Sequence, residues 1–164
     1  MSENKTQSGL LLPADITVIL DQYGHLLQSY TNLTDRHSVF ATFKLTTTKL
    51  SILFPFKEHP VHGITGLHAT EKYDDNGFVK EYHYQWKVII PKQGVLFSHI
   101  SAWENEPHDD PKTPEKYKVN SEPHHHHHIP GDRHQRKDNY DVQTLKSAFA
   151  FVSRYIESGS EYKP

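Results

Sequence analysis

The chain of 164 residues contains no cysteine. That absence excludes disulfide frameworks, thiolate nucleophiles and cysteine-based zinc sites, and it fits a protein expected in the cytoplasm. Long apolar runs are missing as well. No stretch approaches the roughly 20 residues needed to cross a bilayer. The opening MSENKTQSG is polar, and the LLLP that follows is too short for a secretory core. No membrane partner is expected. Nor does charge of one sign dominate: the formal net charge is -2, so the molecule as a whole is not a general binder of polyanions. The length suits one domain that buries about two thirds of its unfolded surface.

What the chain has in abundance is histidine, fourteen in all, five of them consecutive (His124 to His128) within PHHHHHIPGD. An affinity tag normally occupies a terminus beside linker residues. This run is internal and a strongly patterned segment follows it, so it belongs to the protein. Taken singly, His25, His37, His59, His62, His68, His83, His99 and His108 read as polar surface or satisfied interior residues. Clustering changes that reading, because neighbouring imidazoles can divide acid and base roles near neutral pH.

Residues 1–12 read as a flexible lead, and 13–164 as a single α+β domain with a long His/Pro-rich loop at 104–138. Between Pro13 and Asp35 the apolar residues Ile16, Val18, Leu20, Leu26, Leu27, Tyr30 and Leu33 suit neither period cleanly. That segment reads as mostly extended, with Gly24 as a turn. SVFATFKLTTTKLSILFPF is rich in β-branched and aromatic residues and reads as one or two strands. HGITGLHATEKY is a weaker strand pattern, and DDNG at 74–77 is a turn signal. In FVKEYHYQWKVII, Tyr82, Tyr84, Trp86, Val88 and Ile90 take one face of a strand, and Glu81, His83, Gln85 and Lys87 take the other. PKQG then turns the chain, and VLFSHISAW returns as the antiparallel partner. The chain closes with Val142, Leu145, Phe149, Val152 and Ile156, one apolar stripe at helical period that reads as core packing. Asp141 or Asn139 suits the N-terminal cap and Gly159 the end. The predicted fold class is therefore α+β: an antiparallel β-sheet with a C-terminal α-helix packed on one face.

Chemistry concentrates in the loop. Within 112–137, Lys112, Lys116, Lys118, Arg133, Arg136 and Lys137 outnumber Glu115, Glu122 and Asp132, which makes a locally basic stretch that attracts phosphate-bearing ligands. Pro123 and Pro130 bracket the run and oppose a helix. In an extended run His124, His126 and His128 point one way, and His125 and His127 point the other, where they can hydrogen-bond the scaffold. Three imidazoles on one side supply either a general acid and base or a metal site. The metal alternative uses His124, His126, His128 and Asp132 to hold zinc or another divalent ion. However, alternate residues on one extended face stand about 7 Å apart, whereas zinc ligands lie about 2 Å from the ion. The run would have to curl or recruit His108, Asp109 or Asp110. The metal-free alternative needs no cofactor.

The order of motifs in the C-terminal half points to a family. Tyr82-His83-Tyr84 on a strand, a second strand, Asn105-x-Pro107-His108, a proline-rich spacer, a Pro-His-His-x-His segment within Pro123 to His128 and a terminal amphipathic helix together resemble the TumE family of toxin–antitoxin toxins. The resemblance covers roughly residues 78–158. It implies a small α+β toxin, encoded beside a helix-turn-helix antitoxin, with RNA cleavage as the suspected activity. The N-terminal 75 residues have no counterpart in that pattern, and the PHDDPKTP and DRHQRKDNYD segments read as elaborations, compatible with a phage-defence role.

Two functions follow from these readings. The first is a toxin-like ribonuclease with RNA as substrate and a cognate antitoxin as partner, cleaving by metal-independent histidine acid–base chemistry. His126 and His128 are its expected acid and base, with His124 and His108 as alternates. His83 reaches in from the polar face of the central strand, and Arg133, with Lys137 or Arg136, stabilises charge on phosphorus. The second is a non-catalytic module whose histidine loop docks a protein or a divalent metal.

Overall fold

A computed structural model of the chain describes residues 10–28, 43–94, 99–105, 126–129 and 132–163. Seven strands run in chain order across one sheet, each antiparallel to the next. They are β1 (Phe43–Leu45), β2 (Lys49–Pro55), β3 (Ile64–Tyr73), β4 (Val79–Ile90), β5 (His99–Glu104), β6 (His126–Ile129) and β7 (Asp132–Asp138). Two α-helices, α1 (Ile16–Tyr23) and α2 (Leu145–Ser158), and a 3-10 turn at Gly24–Leu26 accompany the sheet. The expected α+β class holds, with α2 packed against the sheet as its apolar stripe requires.

The core lies between the helices and one face of the sheet. Direct cross-strand pairing puts Phe54, Leu67, Trp86 and Ser101 in one row, and Ile52, Ala69, Tyr84, Trp103 and His127 in the next. Phe149 of α2 sits at the centre. Its ring meets Phe54 edge-on at 4.8 Å and Phe56 at 5.8 Å, and it stacks on Tyr23 of α1 at 5.3 Å. A second, smaller apolar cluster of Leu53, Ile64 and Ile89, with Ile90 packed against it, marks a break in the β4 alternation. The pairing steps from Ile64↔Ile90 to Thr65↔Val88, so Ile90 does not continue the Tyr82–Val88 face as its spacing suggests.

Three expectations are corrected. The segment after Pro13 is not mainly extended, because Ile16–Tyr23 is helical and Gly24–Leu26 forms a 3-10 turn. Val18 and Leu20, which suggest alternation, are exposed, while the buried residues Ile19 and Tyr23 stand four apart, the spacing of one helical face. Asp15 caps α1 by accepting a hydrogen bond from the Val18 N–H at 3.2 Å. Second, 104–138 is not simply a loop, since Glu104 ends β5 and the chain supplies β6 and β7. These strands lack apolar alternation and join the sheet through backbone pairing. Third, α2 is capped by Thr144, not by Asp141 or Asn139. Thr144 and Ser147 form a reciprocal capping box, and Asn139 instead braces the preceding turn by accepting from the Asp141 and Val142 N–H groups. Gly159 ends the helix in the left-handed region at φ 71°.

A buried carboxylate ties the N-terminal segment to the sheet. Glu71 accepts from the Ala14 N–H at 3.0 Å and from the Tyr73 and Tyr84 hydroxyls. Burial first, and then the Glu71 charge, push both phenols well above the ordinary tyrosine value, so they remain donors. This satisfied network is structural. Leu11, within the expected lead, is buried and bridges Val79.

The turn from His59 to Gly63 is tightly specified. His59 Nδ1 accepts from the Val61 and His62 N–H groups, each at 3.0 Å. Gly63 has φ 81°, and a Cβ there would lie 2.6 Å from both the Ile90 carbonyl oxygen and the Lys92 nitrogen. Gly63→Ala combines a left-handed conformation with a backbone clash. It is expected to cost about 1 to 3 kcal/mol, read from the urea midpoint. A change below about 0.5 kcal/mol would show that the turn relaxes freely.

Candidate active site on the polar face of the sheet

Strand alternation turns Tyr82, Tyr84 and Trp86 toward the helices, and assigns Glu81, His83, Gln85 and Lys87 to the opposite face. Register extends that assignment across the sheet. His83 pairs with Glu104, Glu104 with His126, and His126 with Asp138. In the adjacent row Gln85 pairs with Ala102, Ala102 with His128, and His128 with Arg136. Neighbouring strands stand about 4.8 Å apart, so each row presents its members side by side.

His83 Nε2 lies 4.0 Å from Glu104 Oε2; the Glu104 side chain is 6 % exposed and that of His83 40 %. A buried carboxylate beside a half-exposed imidazole gives the protonated ring an ion-pair partner while leaving it accessible. His68 occupies the same face on β3, opposite Gln85. Burial is the main cause that holds His68 below the ordinary histidine value, followed by the charges of Lys87, His83 and Lys49. It therefore stays neutral near neutral pH, with Ser51 Oγ 3.5 Å from its Nε2.

The expected site residues divide as follows. His83 lies on this face, and backbone pairing places position 126 opposite Glu104 and position 128 opposite Ala102. Arg133 and Asp132 lie on β7, but the pairing jumps from Ile129↔Asp132 to His128↔Arg136. Register thus brings Arg136, and not Arg133, opposite His128. His108 and His124 fall outside the described residues, as do Asp109 and Asp110. Among the described residues no three histidine or carboxylate side chains converge as a metal group; the alternative set of His124, His126, His128 and Asp132 rests on side chains beyond that description.

His127 belongs to the other face. Its ring is buried against Trp103, with centroids 5.4 Å apart, and meets Phe151 edge-on at 6.1 Å. Its Nε2 makes a short hydrogen bond with Ser101 Oγ and lies 3.4 Å from the Tyr162 hydroxyl. His127 thus takes the scaffold side expected of it in an extended run.

Sequence assigns no site role to Glu104 or His68, whereas the scaffold side of His127 follows from the alternation expected of an extended run. Alternation through HISAWE would have found Glu104: if Ser101 and Trp103 face inward, Ala102 and Glu104 take the face of His83. His68 carried a weaker signal, because its strand has alanine, glycine and threonine around it. A recess of about 530 Å³ lies elsewhere, beside Pro13, Ile16, Leu45, Leu50 and Tyr73. Its walls are largely apolar.

The C-terminal tail closes over the helix-side end of this region. His59 Nε2 donates to the Ser160 carbonyl at 2.9 Å, and His62 Nε2 accepts from the Tyr162 N–H at 3.2 Å. Burial first, and then the proximity of His59, lower the His62 pKa. The unfolded chain therefore takes up this proton more readily than the folded one. The stabilisation from His62 is complete above the unfolded value of about 6.5 and is lost as pH falls through the lower folded value. The thermal-midpoint advantage of wild type over His62→Leu is expected to shrink between pH 7 and 5. An advantage that grows with acid would contradict the assigned direction.

Comparison with protein-family models, curated proteins and solved structures gives no match.

Proposed function

We propose that this chain is a toxin-like ribonuclease that cleaves RNA by metal-independent acid–base chemistry on the polar face of its sheet. The supporting observation is the cross-strand row His83–Glu104–His126, flanked by the His128↔Arg136 pair. Cleavage of this kind needs a base to remove the 2′-hydroxyl proton. The 2′-oxygen then bonds to phosphorus as the P–O5′ bond breaks, and an acid protonates the departing 5′-oxygen. A neutral and a protonated histidine supply base and acid. His126 and His128 remain the leading pair, with His83, backed by Glu104, as the further proton donor. Lys49 and Lys87 bring positive charge to this face, as charge building on phosphorus requires, with Arg136 buried opposite position 128.

RNA as substrate follows from this chemistry, and a cognate antitoxin as partner follows from the resemblance to TumE toxins. The test is incubation of the purified protein with single-stranded RNA in EDTA, and separately with added zinc or manganese. Cleavage in EDTA supports the proposal. Cleavage that requires metal replaces it with the divalent site of the histidine run, and binding without cleavage replaces it with a docking module.

A further inference from the structure

Five identical residues in a row pose a register problem for β6. Register is ordinarily specified because a one-residue slip exchanges inward and outward side chains. Within His124 to His128 such a slip exchanges histidine for histidine, so the run itself discriminates weakly. β6 is also only four residues long. The short strand therefore needs a hold on β5; in this structure position 127 is the one seated, which leaves 126 and 128 opposite Glu104 and Ala102.

The contacts of His127 supply that hold. Its ring lies on Trp103, the residue directly across the strand pair, and its Nε2 is held by Ser101 with the Tyr162 hydroxyl beside it. Tyr162 is itself fixed. Its ring packs on Phe151 at 5.6 Å and Tyr155 at 5.3 Å, and its backbone is tied to His62. We propose that His127 is a positioning residue: Ser101 and the C-terminal tail, acting through Tyr162, hold its ring and so anchor β6 on β5, with positions 126 and 128 opposite Glu104 and Ala102. This inference rests on the ribonuclease reading for its kinetic consequence, although not for its geometric one.

Tyr162→Phe keeps the ring and removes only the hydroxyl, and Ser101→Ala removes the other polar partner. Each is expected to lower kcat about 10- to 100-fold, the scale of a small misplacement of reacting groups, with KM little changed and thermal unfolding still cooperative. His127→Gln, which retains a polar group, is expected to recover part of the activity lost in His127→Leu. Full kcat in both Tyr162→Phe and Ser101→Ala would overturn the proposal, as would losses that follow thermal stability alone. Long-range 1H–15N spectra of the imidazoles separate this question from catalysis. In Tyr162→Phe the His126 and His128 signals are expected to shift together with that of His127, and a shift confined to His127 would refute positioning even in an active ribonuclease. A wild-type protein that cleaves no RNA but shows the coupled shift overturns the ribonuclease reading and leaves the positioning role standing.

Discussion

Phe149→Ala is expected to lower the unfolding free energy by about 3 to 5 kcal/mol, the range for deleting a fully buried phenylalanine. The ring is completely buried and touches three parts of the molecule at once: Tyr23 from α1, Phe54 from β2, and Phe56 just beyond it. Its loss removes apolar burial and leaves a cavity that stiff aromatic neighbours fill poorly, so both the transfer and cavity costs apply. Urea denaturation reads the effect. A change below about 1 kcal/mol would mean that α2 contributes little to the stability of the sheet it covers.

The double variant His126→Ala/His128→Ala is expected to behave in the opposite way. RNA cleavage should fall by about 100- to 10,000-fold, the contribution usual for positioned acid–base groups, while thermal unfolding stays cooperative. Backbone pairing sets both positions opposite Glu104 and Ala102, out of step with the buried His127, so the aromatic core is expected to stay intact. His127→Ala provides the contrast. It strips the buried partner from Ser101 and from the ring stack, and should lose stability by about 1 to 3 kcal/mol. If the double variant were the less stable of the two, the assignment of faces along β6 would be wrong.

The two variants fall on different kinds of element, one legible in the sequence and one not. The face occupied by Tyr82, Tyr84 and Trp86 was readable because large aromatics alternated with Glu81, His83 and Gln85 over a long strand. The α2 stripe was readable for the same reason at helical period. α1 was obscured because Val18 and Leu20 are apolar yet exposed, which mimics a strand, and the Ile19 and Tyr23 spacing was lost among them. β6 and β7 were obscured because neither HHHI nor DRHQRKD has an apolar alternation to read. Their place in the sheet is a tertiary fact, set by pairing with β5 and by the seating of one histidine in an aromatic pocket.

The same distinction applies to the candidate site. The histidine types were visible in the chain, and an extended run predicts that alternate members take opposite sides. Which cation accompanies them was not visible: Arg133 and Arg136 are equivalent by composition, and only the irregular β6–β7 pairing brings Arg136 opposite His128. Glu104 reads in sequence as one more charge in a polar segment. Its importance comes from being buried at the end of β5, between His83 and position 126.

The measurement that bears most directly on the proposed chemistry uses two short single-stranded RNAs, one unmodified and one with a single 2′-deoxynucleotide at the cleaved position, both in EDTA from pH 5 to 8. The unmodified strand is expected to yield a 2′,3′-cyclic phosphate end with a bell-shaped pH dependence, because one histidine must be neutral and another protonated. The deoxy-substituted strand should stay intact at that position, since it lacks the attacking oxygen. Equal cleavage of both strands, or cleavage that stops in EDTA and returns with zinc or manganese, would contradict histidine acid–base catalysis on this face.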